Sequence, residues 1–461
     1  MISAACPLRL AFAVAAGFLV GCAQSTDAPS IAAPTSASLA RSTTLAVTGA
    51  SPAQAPLETT IDVQVTGSGF DNGSSAAWLR AGNPDARVRT NSTRFVSSTS
   101  LVANITIASD AVPTSYDVAV TTTSGKKGIG TELFTVLPMQ ELSSPAGSSN
   151  ANDVNSTGTI AGGRAGGCDT GLYPVIWRGG GEPVDLPVIA PWCNGTANFI
   201  NEGGVMVGRL NLRGTQVAVR WVPDASQPSG YSVAEMGALP DGSSPDVKGL
   251  NDGGYAIANH NGAPGSRGYW WSESTGWSQL AMPAGATQCY AEAINNVGEI
   301  SGMCTVGGLS SAAFWSSVSA APELLPRLPG YTQTHSALAL NNNGVAVGYA
   351  GTLSRSGSLT QTGVRWTRSG TTWTIEVLPD FGRGGTQAWD VNDAGEITGA
   401  SWVGTSKNHA FLLVPGQSIR DLGSLGTESW GFAVGPSNAG TALVVGVSSV
   451  GTVKRATLWR P

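Results

Sequence analysis

Only three histidines, His260, His335 and His409, occur in 461 residues, and each falls in a different stretch. Neither a multi-histidine metal site nor a histidine-based triad has its parts, so these read as surface or hydrogen-bonded side chains. No Gly-x-Ser-x-Gly elbow, phosphate-binding glycine loop or metalloprotease helix motif is present. Asn-Asp pairs such as Asn392-Asp393 carry oxygen ligands, but no Asp-x-Asp-x-Asp ladder supplies the six or more oxygens calcium takes. No catalytic set, metal or cofactor is therefore expected. Two residue sets remain. The acids Asp169, Asp246 and Asp380 would serve a polysaccharide hydrolase or lyase if the fold made them converge. The aromatics Trp192, Tyr290, Tyr331, Phe381, Trp389 and Trp430, with Arg383, cluster in variable connections, where they could stack on sugars or grip a peptide.

The background to these residues is sparse in charge. Lys and Arg number 25 against 30 Asp and Glu, giving a formal charge of -5, which argues against a general nucleic-acid binder. Gly and Pro total 87 residues, about 19%, and 41% of residues are hydrophobic, enough for a sizeable core. Arg9 precedes an apolar run, Leu10–Val20, too short to span a bilayer and suited to an export signal over residues 1–21. The run ends Leu19-Val20-Gly21-Cys22, which resembles a lipobox and implies that Cys22 is acylated. Each buried acyl methylene contributes about 0.8 kcal/mol, so several chains would hold the protein to a membrane. Ala23-Gln24 lacks the Asp typical of inner-membrane retention, which favours the outer membrane or cell surface. Residues 22–43, rich in Ser, Thr, Ala and Pro, read as a flexible tether.

From residue 44 to 138 the pattern is short β runs with turn residues and no helical period. Ile61–Thr66, Leu101–Thr106, Tyr116–Val120 and Leu133–Val136 predict an immunoglobulin-like sandwich. Ser51-Pro52, Val65-Thr-Gly-Ser-Gly-Phe70, Val96–Leu101 and Tyr116–Val120 resemble the IPT/TIG family, which implies a spacer or interaction module.

Residues 139–461 repeat one unit. Asn-x-x-Gly and a short β run, usually ending in a second Gly, recur from Asn155, Asn201, Asn251, Asn295, Asn341 and Asn392, with Ser437-Asn-Ala-Gly440 as a seventh copy. The motif glycines are 46, 50, 44, 46, 51 and 45 residues apart, the length of a four-stranded propeller blade. The Asn side chain is expected to bond its own backbone in a hairpin turn, with Gly in the left-handed conformation. A later strand ends in Trp177, Trp221, Trp271, Trp315, Trp366 or Trp459, with Leu413 in the sixth copy, and these side chains read as core between blades. The seventh copy stops at Trp459-Arg-Pro461, before a fourth strand. Gln140-Glu-Leu parallels Arg420-Asp-Leu, so residues 139–145 should complete the last sheet and close a ring. The expected fold is all-β: an immunoglobulin-like sandwich followed by a seven-bladed β-propeller. The repeats resemble the HAF family of bacterial extracellular repeats, through His409-Ala-Phe411, Asp421–Gly426 and Val391–Gly399. That resemblance implies an exported protein and leaves its chemistry open.

With Cys6 removed in the signal and Cys22 lipidated, four cysteines remain, an even number suited to disulfides in an oxidising compartment. In a simple hairpin register Ile294 faces Glu299 and Cys289 faces Cys304, within bonding range. Cys168 and Cys193 flank the first and second copies and form the other expected pair. The leading expectation is a lipid-anchored, non-enzymatic envelope protein whose propeller face binds a glycan or protein. A propeller hydrolase or lyase, and a structural envelope component, are the alternatives.

Overall fold

The computed structural model describes residues 44–144, 147–168, 171–260, 265–353, 359–404, 407–436 and 442–461. The export signal, Cys22, the tether, Asp169 and Ser437–Gly440 lie outside the described residues. Among those described there is no α-helix.

Residues 44–137 form two sheets. One has four strands in the order Ala46–Ser51, Thr59–Ser68, Ser100–Ile107, Val88–Ser97; the other has five and is built around Ser115–Thr121 and Lys127–Leu137. Apolar residues alternate along these strands, and one face of each sheet meets in a cluster that includes Val63, Trp78, Leu101, Ile105, Tyr116 and Phe134.

Each later repeat is an antiparallel four-stranded sheet. The first comprises Ser149–Val154, Thr159–Ala165, Leu172–Arg178 and Val184–Asp185. The following sheets begin with Asn194–Ile200, Asp246–Leu250, Ala286–Ile294, Thr334–Leu340, Gln387–Val391 and Glu428–Val434. These first strands neighbour one another in chain order, and Glu428–Val434 lies against Ser149–Val154. A closed ring of radially stacked four-stranded sheets is a β-propeller.

Closure is made by Met139–Glu141, which pairs antiparallel with the last strand: Met139 opposite Trp459, Gln140 opposite Leu458 and Glu141 opposite Thr457. Leu142 N–H then donates to Ala456 O at 2.9 Å. The same contact recurs where the other sheets end, as in Leu186 to Pro174 O (2.9 Å) and Leu422 to Ala410 O (3.0 Å). Leu142 is fully buried with Ala151 of the first repeat and Val445 of the last, so the two ends of the ring share one core.

The motif asparagine does more than shape its hairpin. Asn341 Oδ1 accepts the amides of Asn343 (3.0 Å) and Val345 (2.9 Å), as a turn residue should. Its Nδ2 donates to Asn392 O of the next repeat at 2.9 Å. The same bond runs from Asn155 to Asn201 O, Asn201 to Asn251 O, Asn251 to Asn295 O, Asn295 to Asn341 O and Asn392 to Gly435 O. A second belt follows one residue on. Glu202 N–H donates to Asp252, Asp252 N–H to Asn296, Asn296 N–H to Asn342 and Asn342 N–H to Asp393. The oxygens of Asn392-Asp393 are thus committed to protein partners.

The tryptophans fasten the sheets from the other direction. The indole N–H of Trp177, Trp221, Trp315 and Trp366 donates to Ser143 O, Pro187 O, Ala281 O and Pro326 O, on the chain leaving the previous sheet. All four rings are fully buried.

Every first strand also carries a β-bulge, at Asn152, Asn198, Lys248, Glu292, Leu338, Trp389 and Phe432; in six it lies three residues before the motif Asn, and in the seventh three before Gly435, which accepts the Asn392 bond. The bulge brings the second strand close: a Cβ on Gly348 would stand 1.9 Å from Ser336 O, which explains the second motif glycine. It also corrects the register at Cys289. Ile294 faces Ile300 rather than Glu299, and the bulge at Glu292 absorbs the extra residue, so Cys289 still faces Cys304. Both disulfides are present, Cys289–Cys304 with Cα atoms 4.1 Å apart and Cys168–Cys193 at 5.6 Å.

Replacing Asn341 separates its two roles. N341A should lower unfolding stability in urea by about 1–3 kcal/mol, the cost of unsatisfied buried groups. N341D keeps the accepted turn bonds but sets a carboxylate against Asn392 O, so its loss at pH 8 should be at least as large. A D variant as stable as the parent would show that the bond between repeats is dispensable.

Candidate functional site

The same framework exposes different chemistry at its two ends. At the Asn-x-x-Gly end a cavity of about 350 Å3 lies among Asn296, Asn342, Asp390 and Asp393. The side chains of Asn342 and Asp393 in its wall are engaged in the second belt.

The opposite end carries the connections into each first strand and the hairpins between second and third strands. Here two cavities, of about 270 and 580 Å3, share Trp389 and Trp430 and together form one cleft. It is assembled from the sixth and seventh repeats, with the fifth and first at its flanks. Trp389 and Phe432 are the bulge residues of adjacent first strands, and a bulge turns its extra side chain away from the regular alternation. Their rings lie 5.5 Å apart, tilted by 38°. Hydrogen bonds hold Trp389 in place: its indole N–H donates to Gln387 Oε1 at 3.2 Å, and the Gln387 amide donates to Gln361 Oε1. Trp402, 42% exposed, forms the smaller cavity's wall. Gly385 lies against its indole, where a Cβ would come within 2.7 Å. In the larger cavity Lys454 Nζ sits 3.5 Å from the centre of the Trp430 ring and donates to Ser449 Oγ at 2.7 Å. Burial lowers the Lys454 ammonium below the ordinary lysine range, partly opposed by Glu428.

Of the residues expected at a binding face, Trp389, Trp430 and Arg383 come together in this cleft. Three others lie elsewhere: Trp192, Tyr331 and Phe381, each partly buried, pack against three separate apolar clusters. Tyr290 belongs to the Cys289–Cys304 repeat and is not part of the cleft. Trp402, Phe432 and Lys454 were not foreseen. For Phe432 the motif spacing gave no signal, since it stands five residues before Ser437 whereas Trp389 stands three before Asn392.

Of the acids expected in a channel, the two that are described have other partners. Asp246 pairs with Lys248 at 3.0 Å, Asp380 accepts the Gly382 amide in a surface turn, and Asp169 lies outside the described residues. The enclosed carboxyls are different ones. Asp153 accepts the amides of Val154 (2.8 Å) and, from the next repeat, Ile200 (2.9 Å); Asp390 does the same with Val391 and Val434, both at 2.8 Å. Burial raises Asp153 to about 8, with Asp390 adding repulsion, and burial raises Asp390 to about 6. Glu292 is raised to about 7, also by burial, against the pull of Lys248. The histidines are structural: His335 accepts the Leu328 amide at 2.9 Å, His409 meets Asp421 at 2.9 Å and His260 meets Asp241 at 3.1 Å. Among the described residues no cluster of three metal-ligating side chains occurs.

No family model and no curated protein sequence matches the chain. Among solved structures, TolB from Acinetobacter baumannii is similar at 13% identity over 60% of this chain, with a TM-score of 0.36. The match spans 62% of the TolB chain. YjhT is similar at 12% identity over 54% of this chain and 90% of its own, also with a TM-score of 0.36.

The raised carboxyls set a pH dependence. An unfolded Asp ionises near 3.8, whereas folded Asp153 keeps its proton to about 8. The native state therefore binds more protons between these values, and stability falls as pH rises through that window. D153N removes this share, so the gap in unfolding midpoint between D153N and the parent should shift in favour of the variant from pH 4 to pH 8 and level off above. A gap that does not change with pH would refute it.

Proposed function

We propose that this chain is a lipid-anchored cell-envelope protein in which a seven-bladed propeller of HAF-like repeats binds a glycan through the aromatic cleft. Residues 44–138 act as an IPT/TIG-like immunoglobulin-fold spacer. The Tyr116 hydroxyl, which donates to Val112 O at 3.1 Å, fits the corner bond of that fold. The lipobox-like Leu19–Cys22 and the tether behind it support export and anchoring, with the outer membrane or cell surface as destination.

One observation carries the binding reading: Trp389, Trp430 and Phe432 gather around a cleft bordered by amide and hydroxyl groups. Aromatic rings cover the apolar faces of sugar rings, and amides such as Gln361, Gln387 and Asn408 suit the hydroxyl rim. Bulge positions that hold Asn, Lys, Glu or Leu in other repeats hold Trp389 and Phe432 here. Among the described residues, the cavity linings carry aromatic, amide and hydroxyl groups, which are holding groups. The hydrolase or lyase alternative would show itself as new reducing ends released by purified protein.

Two outcomes test this function. C22A should move the protein from the membrane fraction to the soluble envelope fraction; unchanged fractionation would overturn lipid anchoring at Cys22. W389A should weaken oligosaccharide binding at least tenfold on a glycan array and by calorimetry, while its thermal unfolding stays cooperative. Equal binding by parent and variant would place the ligand elsewhere.

A further inference from the structure

We infer that the ligand of the aromatic cleft is an acidic oligosaccharide, bearing carboxylate or sulfate groups. This rests on the glycan reading above and goes beyond it by assigning the charge class. Among the described residues, the only ionisable side chains lining the two cavities are Arg383 in one and Lys454 in the other, both cationic, in a protein whose formal charge is -5. They stand on either side of the shared Trp389 and Trp430, so an extended chain lying over the indoles meets a cation in each direction.

Lys454 is the more informative of the two. It is exposed, and its ammonium is held by Ser449 Oγ at 2.7 Å and by the Trp430 face at 3.5 Å. Glu428 acts on it electrostatically, yet no ion pair joins them. A cation fixed by a neutral hydroxyl and an aromatic face keeps its charge for an arriving anion, and the charge-assisted hydrogen bond it can form is the stronger kind. Arg383 is exposed and presents a planar fork suited to a carboxylate or sulfate. Together Arg383 and Lys454 select a chain with anionic substituents over a neutral one.

Calorimetry of the full chain with three probes tests the assignment: hexagalacturonate for carboxylate, a heparin hexasaccharide for sulfate, and cellohexaose as the neutral control. At 50 mM salt at least one acidic probe should bind ten or more times tighter than cellohexaose, and the preference should shrink at 500 mM salt. The double variant R383Q/K454Q should lose at least tenfold toward the acidic probe and leave cellohexaose unaffected; W389A should weaken every probe that binds. Which acidic probe is preferred decides between carboxylate and sulfate. Cellohexaose binding as tightly as both acids, or charge variants that bind the acidic probe like the parent, overturns the charge assignment while leaving a glycan cleft in place. If none of the three binds, with the fold intact by thermal unfolding, the charge assignment and the glycan reading fall together.

Discussion

A single buried side-chain amide, repeated from sheet to sheet, is the bond on which the ring depends. The motif asparagine accepts from its own hairpin through one atom and donates to the neighbouring repeat through the other. Forming the turn and joining the repeats are thus one event, because an amide that shapes its hairpin correctly already aims its N–H2 outward. Aspartate lacks the donor and serine carries donor and acceptor on one short hydroxyl, whereas an amide supplies them on separate atoms that point in different directions. The belt one residue on, and the indole bonds to the preceding linker, act in parallel with it. A sheet whose two faces are both covered has no other way to satisfy so many polar groups near the centre.

The β-bulge is where this uniform framework admits variety. Its extra residue lies outside the ladder, so the ring tolerates Asn, Lys, Glu, Leu, Trp or Phe there without changing the hydrogen bonds on either side. Aromatics at two successive bulges, with Trp430 two residues from Phe432, turn one sector of the ring into a cleft. The price of the bulge is a close approach of backbones, met by glycine at the second motif position.

Closure and the placement of the sandwich meet at Gln140. Its amide donates to Gly180 O at 2.8 Å and to Glu58 of the sandwich, and its Oε1 accepts from Arg460 at 2.6 Å. Leu57 N–H adds a bond to Met139 O at 2.8 Å. The strand that completes the last sheet is therefore held by the domain before it and by the chain's final residues. Residues 44–461 form one compact unit.

Much of the repeat was legible in the amino-acid order, because hairpins, alternation and buried tryptophans are local or periodic properties. Asn-x-x-Gly marks its turn by its own chemistry, Gln140-Glu-Leu announces a strand by likeness to Arg420-Asp-Leu, and Cys289 with Cys304 follows from counting across one hairpin. What lies between repeats was not legible. The second bond of each asparagine, the carboxyls of Asp153 and Asp390 bridging to the next sheet, and the meeting of Trp389, Phe432 and Lys454 all join residues about 40 to 65 positions apart. Trp192, Tyr331 and Phe381 look like Trp389 in sequence, and packing alone set them partly buried against three separate apolar clusters. Local chemistry determines how each repeat folds; which side chains share a cavity is decided only when the sheets are set side by side, because that distance is a property of the ring and not of the chain.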